Sequence, residues 1–176
     1  MTKADDKRAG AVNNGVSCLT IAIGADHGGF QLKTELVKYL QKTVRTVLDL
    51  GTFGSEAVDY PDYARTVAQA LREQKADRGI LICGSGVGAS VAANKFPGIR
   101  AAVCHDTFSA RQGVEDDDMN ILCLGARVVG TALAQELVRT FLSARFSGAE
   151  RHRVRLGKVS AIEKEFMRDC KEGEHS

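Results

Sequence analysis

Cys83 stands directly before the glycine loop Gly84-Ser85-Gly86-Val87-Gly88, where the apolar run RGILIC ends. Glycines let the backbone turn tightly and leave its N–H groups open to an anion at the start of the next helix. A thiol at a strand end facing a helix N-terminus has nucleophile or base character. Ser85, two residues on, could hydrogen-bond a substrate oxygen. The chemistry this pattern could do is proton or group transfer beside a bound anion. The plain alternatives are a β-to-α turn, for which one glycine would suffice, and a core cysteine, the common fate of that residue. Asp26-His27 and Cys104-His105-Asp106 also close apolar runs. Capping of a helix by Asp26, with His27 on the surface, is the plain reading of the first pair. The basic segment ERHRVR sets Arg151 and Arg155 at i,i+4, on one face if helical. Two guanidiniums make a fork for phosphate; a solvated charged face is the simpler account.

Elements must exist to hold these groups together. Five short runs rich in Ile, Val or Leu cover residues 19–24, 44–51, 78–84, 99–104 and 120–125. Most lack strict alternation, as strands buried on both faces do. Helical spacing of apolar residues fills the intervals: GFQLKTELVKYLQKT, DYARTVAQALREQ and GTALAQELVRTFLSARF, with a final helix KVSAIEKEFMRDC after the basic segment. Alternating strands and helices predict an α/β chain: a three-layer α/β/α Rossmann-like domain around a five-stranded parallel sheet. In such sheets ligands bind at the carboxyl ends of the strands, where Asp26-His27, Cys83 and Cys104-His105-Asp106 all fall. Residues 1–17 read as a polar, flexible tail, and 18–176 as one domain including the C-terminal helix.

The loop also fits a relaxed dinucleotide fingerprint, Gly84-x-Gly86-x-x-Ala89, with Asp106 about 20 residues on. Two βα units precede it, however, whereas that fingerprint opens its domain, and the next segment, ASVAANKF, is cut short by Pro97-Gly98. Composition narrows the rest. A net charge of +2 creates no field that demands nucleic acid. No apolar stretch approaches the ~20 residues of a membrane span. The start of the chain has no apolar core of a signal peptide. Five cysteines with no C-x-x-C pair argue for free thiols in a reducing, cytoplasmic setting, and against both a disulfide framework and a zinc site.

Taken in order, GADHGGFQLK, DYPDYA, ILICGSGVG, AANKFPGIRAAVCHD, LGARVVG and ERHRVR resemble the type B ribose-5-phosphate isomerases, from about Leu19 to Glu163. That family includes galactose-, allose- and tetrose-phosphate isomerases. The resemblance implies an aldose–ketose isomerase working through a cis-enediol on a small phosphorylated sugar, without metal or cofactor. It further implies a homodimer, or a dimer of dimers, whose sites draw residues from both subunits. Cys83 matches the enolisation base and Ser85 a substrate contact. Gly84, Gly86, Val87 and Gly88 would hold the enediolate with backbone N–H groups. Asp26 and His27 match the pair that binds sugar hydroxyls, and Tyr60 a pocket tyrosine. Arg127, Arg151 and Arg155 match substrate and phosphate ligands. One stretch departs. Where the ribose enzymes carry His-Asn before the fifth strand, this chain has Asp116-Asp117. The histidine is the family's ring-opening acid–base. Its replacement leaves several readings open: Asp116 or His27 opens the ring, the substrate is a tetrose phosphate, the change is a bland substitution with modest loss of activity, or the protein binds sugar phosphates without turning them over.

Overall fold

The computed structural model describes residues 15–172, with side chains to residue 166. Residues 1–14 of the expected tail lie outside the described residues. Residues 15–18 form a turn closed by Leu19 N donating to Val16 O (3.1 Å), and Val16 is buried in the core.

The chain forms eleven elements. The strands are β1 (Thr20–Ala25), β2 (Thr46–Asp49), β3 (Arg78–Cys83), β4 (Ala101–Val103) and β5 (Ile121–Gly125). The helices are α1 (Phe30–Leu40), α2 (Tyr60–Arg72), α3 (Val87–Ala93), α4 (Thr107–Asp117), α5 (Thr131–Ser143) and α6 (Glu150–Glu172). All four strand pairings are parallel, in the order β2-β1-β3-β5-β4. The alternation expected from the sequence is the observed one. Ile80 and Ile82 pack toward α1, α4 and α5, with Leu36, Val114 and Phe141 among their cluster. Leu81 and Cys83 pack the other way, toward Ala64, Val67, Ala89 and Ala93 of α2 and α3. Both faces of β3 are therefore apolar, which is why its sequence runs without a polar alternate.

Two helices differ from expectation. α4 has no apolar stripe strong enough to announce it; it buries only Ala110 and Val114, and its start is fixed by the Asp106 side chain accepting from Ser109 N (2.7 Å). The last helix begins earlier than KVSAIEKEFMRDC. It takes in the whole basic segment from Glu150, where Arg153 pairs with Glu150 across one turn at 2.9 Å.

The winding direction reverses between β1 and β3, and this is where an open parallel sheet leaves a crevice. The start of α1 is jammed against that crevice. A Cβ on Gly29 would sit 2.5 Å from the Ile82 carbonyl oxygen. Gly29→Ala is expected to cost about 1–3 kcal/mol by overpacking. Urea unfolding checks it; an unchanged midpoint would mean that the loop before α1 yields freely.

Candidate active site

β1 and β3 end side by side, Ala25 paired with Ile82. The turns that leave the two strands face the same cleft of about 410 Å³, lined by Asp26, His27, Gly28, Tyr60, Cys83, Gly84, Ser85, Gly88, Arg127 and Val128. Two larger hollows, about 540 and 640 Å³, hold no thiol and no histidine.

Each side chain is held by its own chain geometry. Cys83 is buried, and Gly86 N donates to its sulfur at 3.1 Å. That bond needs the left-handed backbone at Gly86 (φ 82°), where a Cβ would also meet the Leu124 carbonyl carbon at 3.0 Å. A donor aimed at the sulfur keeps it an acceptor, the posture of a base. Val87 N points at Ser85 Oγ (3.3 Å). The two N–H groups that open α3 thus rest on the thiol and the hydroxyl, where a substrate oxygen could compete for them. Asp26 caps the turn into α1, accepting from Gly29 N at 2.9 Å, while its own N–H donates to Ile82 O at 3.1 Å. His27 is exposed, and its Nδ1 lies 3.2 Å from both the N and the O of Val58. Tyr60 reaches over the loop because Gly88 has no side chain; a Cβ there would be 2.8 Å from the ring. Arg127 arrives from the turn after β5, where its N–H donates to Gly84 O (3.0 Å).

The cleft wall is braced from behind. Ala25 N donates to Gly51 O (2.7 Å) and Thr52 N to Ala25 O (2.8 Å). The buried Lys33 ammonium pairs with Asp49 and lies 5.1 Å from the centre of the Phe53 ring. His105 Nε2 accepts from Gly125 N (3.1 Å) beneath the glycine loop. The other buried thiols are poor reagents: burial, with Asp106 adding to it, pushes Cys104 up to about 11, and burial pushes Cys123 higher still. Among the described residues no group of three or more His, Cys, Asp or Glu side chains is placed to hold a metal ion, and no helix is long and apolar enough to cross a membrane.

The cleft unites Asp26, His27, Tyr60, Cys83, Gly84, Ser85, Gly88 and Arg127, while Gly86 and Val87 of the loop do not line it. It does not include Asp116, Asp117, Arg151 or Arg155. α4 leaves the carboxyl edge at Thr107 and ends at the amino edge, where Arg100 Nε donates to the Asp117 carbonyl (3.1 Å) just before β4 begins. α6 starts beside it, tied by Ser147 N to Glu115 O at 2.9 Å. Within one chain the four residues therefore sit at the opposite rim of the sheet. Sequence reasoning passed over Gly28 and Val128 as cleft lining, and His152, buried inside the basic segment among arginines that drew attention to their own charge.

Fold and site together define a parallel α/β protein with a thiol-centred cleft at the switch point of its sheet, built to hold a small polar ligand. A profile described as Ribose/Galactose Isomerase matches residues 21–159, and the chain belongs to that family. It is 49% identical over 143 residues to a ribose-5-phosphate isomerase B of Escherichia coli, covering 81% of this chain and 95% of that one. It is 45% identical over 132 residues to a D-erythrulose-4-phosphate isomerase of Pectobacterium atrosepticum, covering 74% and 86%. The solved structure of ribose-5-phosphate isomerase B from Clostridium thermocellum superposes with a TM-score of 0.81 at 52% identity, over 84% of this chain and 99% of that one.

Proposed function

We propose that the protein interconverts ribose 5-phosphate and ribulose 5-phosphate by proton transfer through a cis-enediol. The observation that carries the reading is Cys83 itself: a thiol lining the cleft, with Gly86 N on its sulfur and Gly84, Ser85 and Gly88 of the loop lining the same cleft. Cys83 takes the proton from C2 of the open-chain aldose and returns it at C1. The loop stabilises the negative oxygen that develops between, where prealigned donors have their largest effect. Asp26, His27, Tyr60 and Ser85 hold hydroxyls, and Arg127 holds an oxygen of the substrate. This scheme calls on no cofactor.

The phosphate is assigned to Arg151 and Arg155, reaching the cleft from a second copy of the chain together with Asp116 and Asp117. The opposite-rim placement supports a homodimer with shared sites, as does the exposed apolar surface of α6, with Val159, Ile162 and Phe166 each more than half exposed. Unpaired buried thiols at Cys83, Cys104 and Cys123 suit a reducing, cytoplasmic setting.

Ketose formation from ribose 5-phosphate, without added cofactor, tests the reading. Its absence with any phosphorylated sugar of four to six carbons would leave a binding protein. Arg151→Ala or Arg155→Ala is expected to raise KM about 10- to 100-fold through a lost charged hydrogen bond. Unphosphorylated ribose should be a very poor substrate. Equal kcat/KM for the free sugar and its phosphate would return both arginines to a solvated face. A tetrose 4-phosphate is the second reading, favoured by Asp116 standing where a ring-opening histidine is expected.

A further inference from the structure

His152 is 3% exposed, and it is the one histidine so buried among the described residues. Its ring is held on both nitrogens. Arg151 Nε donates to His152 Nε2 at 2.9 Å. An arginine N–H can only donate, so Nε2 must carry a lone pair and the ring proton sits on Nδ1. That Nδ1–H donates to Ser147 Oγ at 2.7 Å, and Asp116 Oδ1 lies 3.3 Å from the same nitrogen. The far oxygen of Asp116 accepts from Gln112 Nε2 at 2.9 Å. One imidazole thus touches both a proposed phosphate ligand and the residue that replaces the expected histidine.

We infer that His152 is a positioning residue that sets Arg151 and Asp116 in register with one another, accepting from the first and holding its Nδ1–H edge against the carboxylate of the second. The inference rests on the assignment of Arg151 to phosphate and Asp116 to ring opening. With Nε engaged on the imidazole, the two terminal nitrogens of Arg151 remain as a fork for phosphate oxygens. With Oδ1 facing Nδ1 and Oδ2 on Gln112, the carboxylate has one aim rather than several rotamers. A histidine is needed because no other side chain offers a donor and an acceptor on opposite sides of one rigid ring.

The two arms can be cut separately. In His152→Asn the amide N–H takes the place of Nδ1–H, and the acceptor for Arg151 is gone. In His152→Gln the amide oxygen takes the place of Nε2, and the Nδ1–H edge beside Asp116 is gone. The Asn variant is expected to bind inorganic phosphate about 10-fold more weakly by calorimetry, the loss of one charged hydrogen bond, while kcat on ribose 5-phosphate stays near the wild-type value. The Gln variant should bind phosphate as the wild type does. It should lose about 10-fold or more in kcat on ribose 5-phosphate, the lower part of what a misplaced acid–base costs, and keep its turnover of erythrose 4-phosphate. Two variants that behave alike in all three measurements overturn the inference. Nitrogen NMR of the wild type needs no variant to fold. The Nε2 resonance of His152 should read as unprotonated and move during a phosphate titration, and a protonated or unmoved Nε2 also overturns it. If the wild type turns over neither sugar, the isomerase reading fails, while the phosphate calorimetry and the NMR still decide the role of His152.

Discussion

Cys83→Ser is expected to lower kcat on the true substrate by about 100- to 10,000-fold, the range of a lost general base. The fold should be untouched, because serine is slightly smaller than cysteine and sits in the same buried end of β3. Phosphate affinity should also hold, since the sulfur's hydrogen bond is to the Gly86 backbone and not to an arginine. The hydroxyl keeps a place for the Gly86 N–H now on sulfur at 3.1 Å, so the loop should not rearrange. What changes is ionisation, since a hydroxyl gives up its proton far less readily than a thiol near neutral pH. The measurement is kcat with a melting curve and a phosphate titration alongside. A variant that melts and binds like the wild type yet retains most of its kcat would remove Cys83 from the chemistry, and with it the centre of the proposed mechanism.

Much of this architecture is legible in the sequence. The central strands β1, β3 and β5 announce themselves because both of their faces are buried, and Ile80-Leu81-Ile82 has no place for a polar alternate; the edge strands β2 and β4 are only partly buried. The glycine loop is legible because Gly86 adopts a backbone angle that other residues rarely take, and Gly88 leaves room for Tyr60. The carboxyl-edge rule then places Asp26, His27 and Cys83 together, and they do line one cleft. α4 is not legible. Its sequence, TFSARQGVEDD, buries two small-to-medium residues, and its stability comes from packing and from the Asp106 cap rather than from a pattern. Nor is the opposite-rim position of Asp116 and Arg151. That depends on which way α4 and α6 run relative to the sheet, and a linear spacing does not encode it. His152 is hidden for a related reason: its partners, Asp116 and Ser147, are distant or unremarked in sequence and meet it only where α6 crosses the end of α4.

Asp116→Asn is expected to separate pentose from tetrose chemistry. Ribose 5-phosphate closes its ring through O4, so an enzyme that takes the ring form must move protons between O1, O4 and solvent. Erythrose 4-phosphate has O4 esterified and forms no such ring. A residue that serves ring opening alone therefore matters for the first sugar and is idle for the second. Under the proposed shared site, Asp116 of a second copy of the chain takes that task. Its side chain is 29% exposed, its two oxygens are oriented by His152 and Gln112, and its carboxylate can accept and return a proton. Asparagine keeps the size and, with the Gln112 amide turned over, meets both neighbours, but it cannot carry the proton. The expected result is a fall of about 100-fold or more in kcat/KM for ribose 5-phosphate, within the general acid–base range, and little change for erythrose 4-phosphate. Asp116→His should retain turnover of the pentose, because imidazole is the group the ribose enzymes are expected to use there. The tetrose reading makes the opposite forecast: a wild type that favours the four-carbon sugar, an Asn variant indistinguishable from it on both substrates, and a His variant that gains on ribose 5-phosphate alone. Since the three proteins and two sugars give different patterns under the two readings, kcat/KM for the six combinations decides whether Asp116 is the ring-opening group or the mark of a substrate that has no ring to open.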